Sequence, residues 1–185
     1  MAEVKGVILN AQSLFLKTCY SDAELQQAAA TLAPEDAALL KPRYLDAGWY
    51  PYQSLVALRR LMRALPQRPG SGPADVGAFI AEHAYTGVYQ GLLAKDPAKL
   101  VGNMAWLHNL VYRDMNALDA RITGDGSCAM VYRYESGARP TRAVCQSMIG
   151  FWGKVLELAT GAKASGAHPA CVCEGAERCE FTFAW

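Results

Sequence analysis

The feature that most constrains this chain is a change of period near Asn116. Upstream, apolar side chains recur at helical spacing; the stretch LDARITGDGSCAMVYRYES that follows alternates instead. It carries Asp125-Gly126 between two β-prone runs, the dipeptide of a tight hairpin turn, where glycine takes positive φ without steric cost. Helical period returns over 140–160 through Val144, Met148, Ile149, Trp152, Val155 and Leu156, and stops at Gly161. The last stretch, HPACVCEGAERCEFTFAW, reads as a second hairpin about Glu174-Gly175, with Phe181 and Phe183 on one face. This order predicts an α+β fold: N-terminal helices plus a C-terminal antiparallel sheet of two hairpins bracketing a helix.

The upstream part divides into several helices. Glu3 to Cys19 has its apolar positions largely on one helical face, and a short helix follows with Ser21 and Glu24 as a capping box. Another starts at Pro34 and breaks around Lys41-Pro42. In GWYPYQSLVALRRLMRAL the residues Leu55, Leu58, Leu61, Met62 and Leu65 form the stripe of a core helix. QRPGSG, between Pro66 and Pro73, is a surface loop rather than an interdomain linker. Helical runs over 74–94 and 97–115 complete the set, the second capped by Asp96 with Pro97 in its first turn. Their tight connection at Lys95 predicts that they kink or pack against each other. At 185 residues, 1–185 is read as a single domain with one core.

Composition narrows the function. Hydrophobic residues make up 52% and charged ones 19%, which excludes a disordered chain. A formal charge of +1, with no basic run longer than Arg59-Arg60, argues against nucleic acid as a partner. The N-terminal apolar run is interrupted by Asn10, Gln12, Ser13 and Lys17, so neither a signal-peptide core nor a membrane span is expected. A cytoplasmic location follows as the expectation. There, six cysteines are reduced thiols or metal ligands sooner than disulfides.

Four residues form the chemical focus: Cys145 near the start of the 140–160 helix, and His168, Cys171 and Cys179 in and around the last hairpin. One nitrogen and three sulfurs suit tetrahedral zinc. A turn at Gly175 would bring Cys171 and Cys179 together, and Cys145 would close the set if it faces the sheet. Cys173, two residues after Cys171, is expected to stay outside the set. Two other readings stay open on spacing alone: buried reduced thiols acting as small hydrophobes, and a redox-switching pair. His83, Cys19 and Cys128 stand alone and read as core or surface.

With these residues in place the chain resembles the superfamily that joins heme-nitric-oxide/oxygen-binding (H-NOX) domains to heme-free vinyl-reductase-type ligand-binding domains. That fold is shared by subunits of the TRAPP vesicle-tethering complex. The resemblance covers most of the chain and is most specific in Cys145, His168-x-x-Cys171 and CEGAERCEF from Cys173 to Phe181. It implies a structural zinc ion on Cys145, His168, Cys171 and Cys179. GWYPYQSLVALRRLM and YQGLLAKDPAKLV are similar to the heme-free branch. The heme branch is matched by KGVILN from Lys5, by His108 in AWLHNLV at the place of the proximal iron ligand, and by Tyr134, Ser136 and Arg139, similar to its heme-propionate clamp. Arg139 comes one residue late in that clamp, which on a strand would turn it to the opposite face. Asn109 beside His108 suggests a position near the surface.

Two sensor readings and a scaffold reading follow. The first is a non-enzymatic intracellular sensor or regulatory domain with structural zinc, binding a small hydrophobic or aromatic ligand and acting on a signalling partner protein. Trp49, Tyr50, Tyr52, Trp106 and Trp152 would line its pocket. The alternative is a heme-based nitric oxide or oxygen sensor with His108 on iron, and a third is a TRAPP-like homodimeric scaffold. Catalysis ranks last: there is no Ser/His/Asp set, phosphate-cradling loop or dinucleotide fingerprint, and a four-ligand zinc leaves no open position.

Overall fold

The computed structural model of the chain describes residues 1–134 and 140–185. It opens with a short strand, β1 (Glu3–Lys5), before the helix α1 (Gly6–Cys19). Helices α2 (Asp22–Ala29) and α3 (Pro34–Ala37) follow, then strand β2 (Trp49–Pro51) and helix α4 (Tyr52–Ala64). Helices α5 (Pro73–Thr86) and α6 (Pro97–Asn109) lead to strand β3 (Tyr112–Arg113). The C-terminal part comprises β4 (Ala117–Gly124), β5 (Ser127–Arg133), α7 (Arg142–Thr160), β6 (Ser165–Ala170) and β7 (Cys179–Ala184). The α+β architecture expected from the period change is present, with an antiparallel sheet ordered β4-β5-β7-β6.

Local chemistry explains most boundaries. Ser21 and Glu24 form the reciprocal capping box of α2, and Asp96 accepts from the Lys99 amide to start α6. Gly161, at φ 76°, ends α7 in the left-handed conformation. Gly126, at φ 64°, turns the β4–β5 hairpin. Alternation along β5 and β7 buries Cys128, Met130, Tyr132, Cys179, Phe181 and Phe183 on the inner face.

Three expectations are corrected. Residues Glu3–Lys5 are a strand rather than helix, because β1 pairs with both β2 and β3 in a second, three-stranded antiparallel sheet. Trp49 and Tyr50 are accordingly strand residues. The helix expected over 74–94 stops at Thr86, where Gly87 leaves helical dihedrals, and the one expected over 97–115 stops at Asn109 so that Tyr112 can pair with Val4. These helices are not each other's main partners: α5 packs on α7 and α6 on β4.

The α5–α7 contact is close because of two glycines. A Cβ on Gly77 would lie 1.9 Å from the Ser147 carbonyl oxygen, and one on Gly150 would lie 1.8 Å from that of Ala74. Backbone meets backbone at this crossing, and it fixes the helix that carries Cys145, Ser147 and Trp152. Trp152, fully buried, donates its Nε1–H to Tyr132 Oη at 2.6 Å and ties α7 to β5. No helix among the described residues is long and apolar enough to cross a membrane.

Candidate metal centre

The cluster is assembled from three directions. Thr141 caps α7 by accepting from the Val144 amide, which sets Cys145 in the first turn on the buried face shared with Met148 and Trp152. His168 lies on β6, Cys171 follows that strand directly, and Cys179 begins β7. Between them a 3-10 turn over Val172–Glu174 closes on Gly175 at φ 93°. The hairpin therefore has an eight-residue connection over 171–178, wider than a tight turn at Glu174-Gly175. That width gives the sulfurs room to converge.

One ligand atom from each of Cys145, His168, Cys171 and Cys179 lies within 4.8 Å of all the others. Cys145 Sγ is 3.8 Å from Cys179 Sγ and 3.8 Å from Cys171 Sγ. This distance bears on the readings left open above. A disulfide needs sulfurs about 2.05 Å apart; two thiolates on one tetrahedral zinc, each bonded at about 2.3 Å, stand roughly 3.8 Å apart. The observed spacing is that of sulfurs able to share an ion.

The fourth donor fits the same arrangement. His168 stacks on Phe181 with ring centroids 4.1 Å apart, and its Nε2 is buried without a hydrogen-bond partner. A buried imidazole nitrogen with no partner is costly unless something binds it. Backbone amides already serve two of the sulfurs: Val172 N–H donates to Cys179 Sγ and Cys173 N–H to Cys171 Sγ, both at 3.4 Å. Such bonds stabilise thiolates.

Electrostatics set the order of ionisation. The contact with Cys145, with help from the Val172 amide, pulls the Cys179 thiol down despite burial. Cys145, the other member of that pair, is pushed far up by the contact, then by burial and the neighbouring sulfurs. One thiolate forms readily and discourages the next, so full ionisation of the set calls for a cation among them.

Cys173 stands apart, as expected. It sits in the 3-10 turn, exposed, with Sγ donating to the Pro140 carbonyl at 3.2 Å. Among the described residues all six cysteines are free.

The second candidate set behaves differently. His108, far from the surface position expected beside Asn109, is 2% exposed. Its Nε2 is 2.6 Å from Asn116 Oδ1, Tyr112 stacks on it at 4.9 Å, and Tyr132 meets it edge-on at 5.3 Å. Burial lowers its pKa to about 4, so it is a neutral imidazole. With Nε2 engaged by Asn116 and two tyrosine rings packed on the imidazole, His108 as it stands does not present a free nitrogen to an iron. Tyr134 lies half-buried at the end of β5, its phenol pushed up chiefly by burial; Ser136 and Arg139 lie outside the described residues.

The five aromatics expected to share a pocket are dispersed. Trp152 is core, Trp106 is 49% exposed on α6, and Trp49 on β2 lies under the cations of Lys5 and Arg113. Sequence reasoning also missed Asn116, the partner of His108. Its position in the loop before β4 gave no signal.

No family model and no curated protein matches this chain at a significant level. Solved structures do. A mutant H-NOX protein from K. algicida, Fe(II) and unliganded, matches with TM-score 0.70 at 15% identity, covering 97% of this chain and 95% of that one. An H-NOX protein from S. oneidensis in the Fe(II)NO ligation state matches with TM-score 0.68 at 17% identity, covering 97% of each chain. The SO2144 H-NOX domain from Shewanella oneidensis in the Fe(II)CO state gives 0.65 at 15% identity over 97% of each. The chain has the H-NOX fold.

Proposed function

We propose that this chain is a non-enzymatic sensor or regulatory domain of H-NOX fold whose C-terminal sheet is locked to α7 by a structural zinc ion. The observation that carries the metal is the convergence of four N and S donors, among them three buried sulfurs with Cys145 at tetrahedral-ion spacing from the other two. Cys145, His168, Cys171 and Cys179 would hold the ion, and the chemistry it would supply is charge neutralisation and cross-linking of α7, β6 and β7. With four protein ligands no position is left for substrate. Reduced, metal-competent thiols suit a cytoplasmic setting. A domain of this kind acts through another chain or through its own dimer.

The engagement of His108 by Asn116, Tyr112 and Tyr132 is the observation that favours the heme-free, vinyl-reductase-like branch. A second reading is favoured by a different observation: the solved structures with this fold include H-NOX proteins described as Fe(II) and Fe(II)NO, and His108 projects inward from α6. On that reading the domain is a heme-based gas sensor with His108 as iron ligand, and Tyr112 and Tyr132 must leave the imidazole.

One experiment separates the two. Protein expressed with heme precursor and purified under reducing conditions is measured for absorption and metal content. One zinc per chain without a Soret band is the expected result. A Soret band that disappears in His108→Ala would replace the heme-free reading with the gas-sensor one.

A further inference from the structure

Helix α4 carries a charge on its buried face. Leu55, Leu58, Leu61 and Met62 form its apolar stripe, and Arg59, four residues after Leu55 and three before Met62, stands on that stripe. Arg59 is 3% exposed. Its Nη2 donates to Ser147 Oγ on α7 at 3.1 Å, while Nε and Nη1 are buried with no partner. Those two nitrogens carry three N–H donors. Among the described residues no carboxylate pairs with Arg59. Burial lowers its pKa to about 10, which leaves it charged at neutral pH. A buried guanidinium without a counter-charge is a costly arrangement that an anion would relieve.

A cleft of about 560 Å³ opens beside it, between α4 and the start of α7. Arg59 and Met62 back its wall with almost no exposed surface of their own, Val56 is its apolar face, and Arg63, Arg142 and Gln146 stand around them. That volume lies in the small-molecule range. No Asp or Glu is among its described lining residues. Arg142 is engaged by Glu174, whereas Arg63 makes no ion pair among the described residues. The first turn of α7 has no acidic residue and adds the positive end of a 19-residue helix.

We propose that the α4–α7 cleft binds a small organic carboxylate with an apolar tail, the carboxylate on Arg59, whose guanidinium turns out from behind the wall to meet it, and the tail against Val56 and the edge of Met62. The buried guanidinium selects the anion, Arg63 draws it in, and the apolar wall favours an amphiphilic acid over an inorganic anion. Such a ligand would give the sensor reading its signal. The binding itself rests on Arg59 and the cleft alone and stands whether or not the cysteine cluster holds zinc or His108 holds heme.

The test is calorimetric titration and thermal shift of the full chain with sodium octanoate, with inorganic phosphate as the contrasting probe. Saturable one-site octanoate binding that raises the melting temperature is expected. Arg63→Ala, on the cleft wall, should weaken it by about fivefold with the unliganded melting temperature unchanged. Arg59→Met should weaken it by more than about thirtyfold. If Arg59→Met fails to fold, Val56→Trp, which fills the cleft, takes its place and should also abolish binding. Absence of octanoate binding, octanoate affinity unchanged in Arg63→Ala and in the folded cleft variant, or binding of phosphate alone would each overturn the proposal.

Discussion

At the scale of single residues, three buried polar groups report different things. His168 Nε2 has no partner and points to a metal; Arg59 has one partner and idle donors; His108 is held by Asn116 and its aromatic neighbours. The His108 arrangement makes a pH prediction. Its folded pKa, about 4, lies below the ordinary 6.5, so the unfolded chain binds its proton first as pH falls. The stability it contributes is therefore complete above about 6.5 and is lost as pH drops towards 4, at up to about 1.4 kcal/mol per pH unit. The groups packed on the ring, Tyr112, Tyr132 and Asn116, are neutral throughout that window. Urea midpoints at pH 7, 5.5 and 4.5 should show this loss in the natural protein and a smaller one in His108→Gln. That His168, Cys171 and Cys179 could converge was legible because His-x-x-Cys and a later Cys flank a turn glycine, whereas Cys145, on a separate helix, joined them through the family resemblance. The fate of His108 was not, because its neighbour Asn109 says nothing about the face the imidazole takes. Arg59 could have been noticed, since i+4 from Leu55 and i−3 from Met62 puts a charge on an apolar stripe.

At the scale of elements, α7 is the hub. Its N-terminal turn supplies Cys145, its middle lies against α5 through Gly77 and Gly150, and Trp152 reaches β5. Gly150→Val should destabilise the protein by more than about 3 kcal/mol, because the added Cβ meets a carbonyl oxygen rather than a movable side chain. Tyr132→Phe removes the acceptor of the buried Trp152 N–H and should cost about 1–3 kcal/mol by chemical denaturation. Elements with strong local signals were readable: the capped helices, the Asp125-Gly126 hairpin and the stop at Gly161. The three-stranded sheet β2-β1-β3 was not. Its strands are two or three residues long, too short for alternation to register, and they exist because distant segments pair.

At the scale of the whole molecule, an ion on Cys145, His168, Cys171 and Cys179 would join α7 to the β6–β7 end of the larger sheet. Metal binding by the folded state adds to folding free energy. Cys179→Ser, or treatment with a strong chelator, should lower stability by about 3 kcal/mol or more, with the loss reversed by zinc only in the natural sequence. The fold class followed from the order of periods along the chain, and the H-NOX architecture agrees with it. The distribution of aromatics did not follow, because lining and filling a core place the same demand on a side chain's hydrophobicity. The metal assignment turns on whether three sulfurs and one imidazole close on a single ion. Titration of the reduced, metal-free protein with cobalt(II), followed by absorption, tests this most directly. One equivalent with intense tetrahedral bands and sulfur-to-cobalt charge transfer, displaced by zinc and weakened in Cys179→Ser, is the expected result. A weak octahedral spectrum, or none, would contradict it.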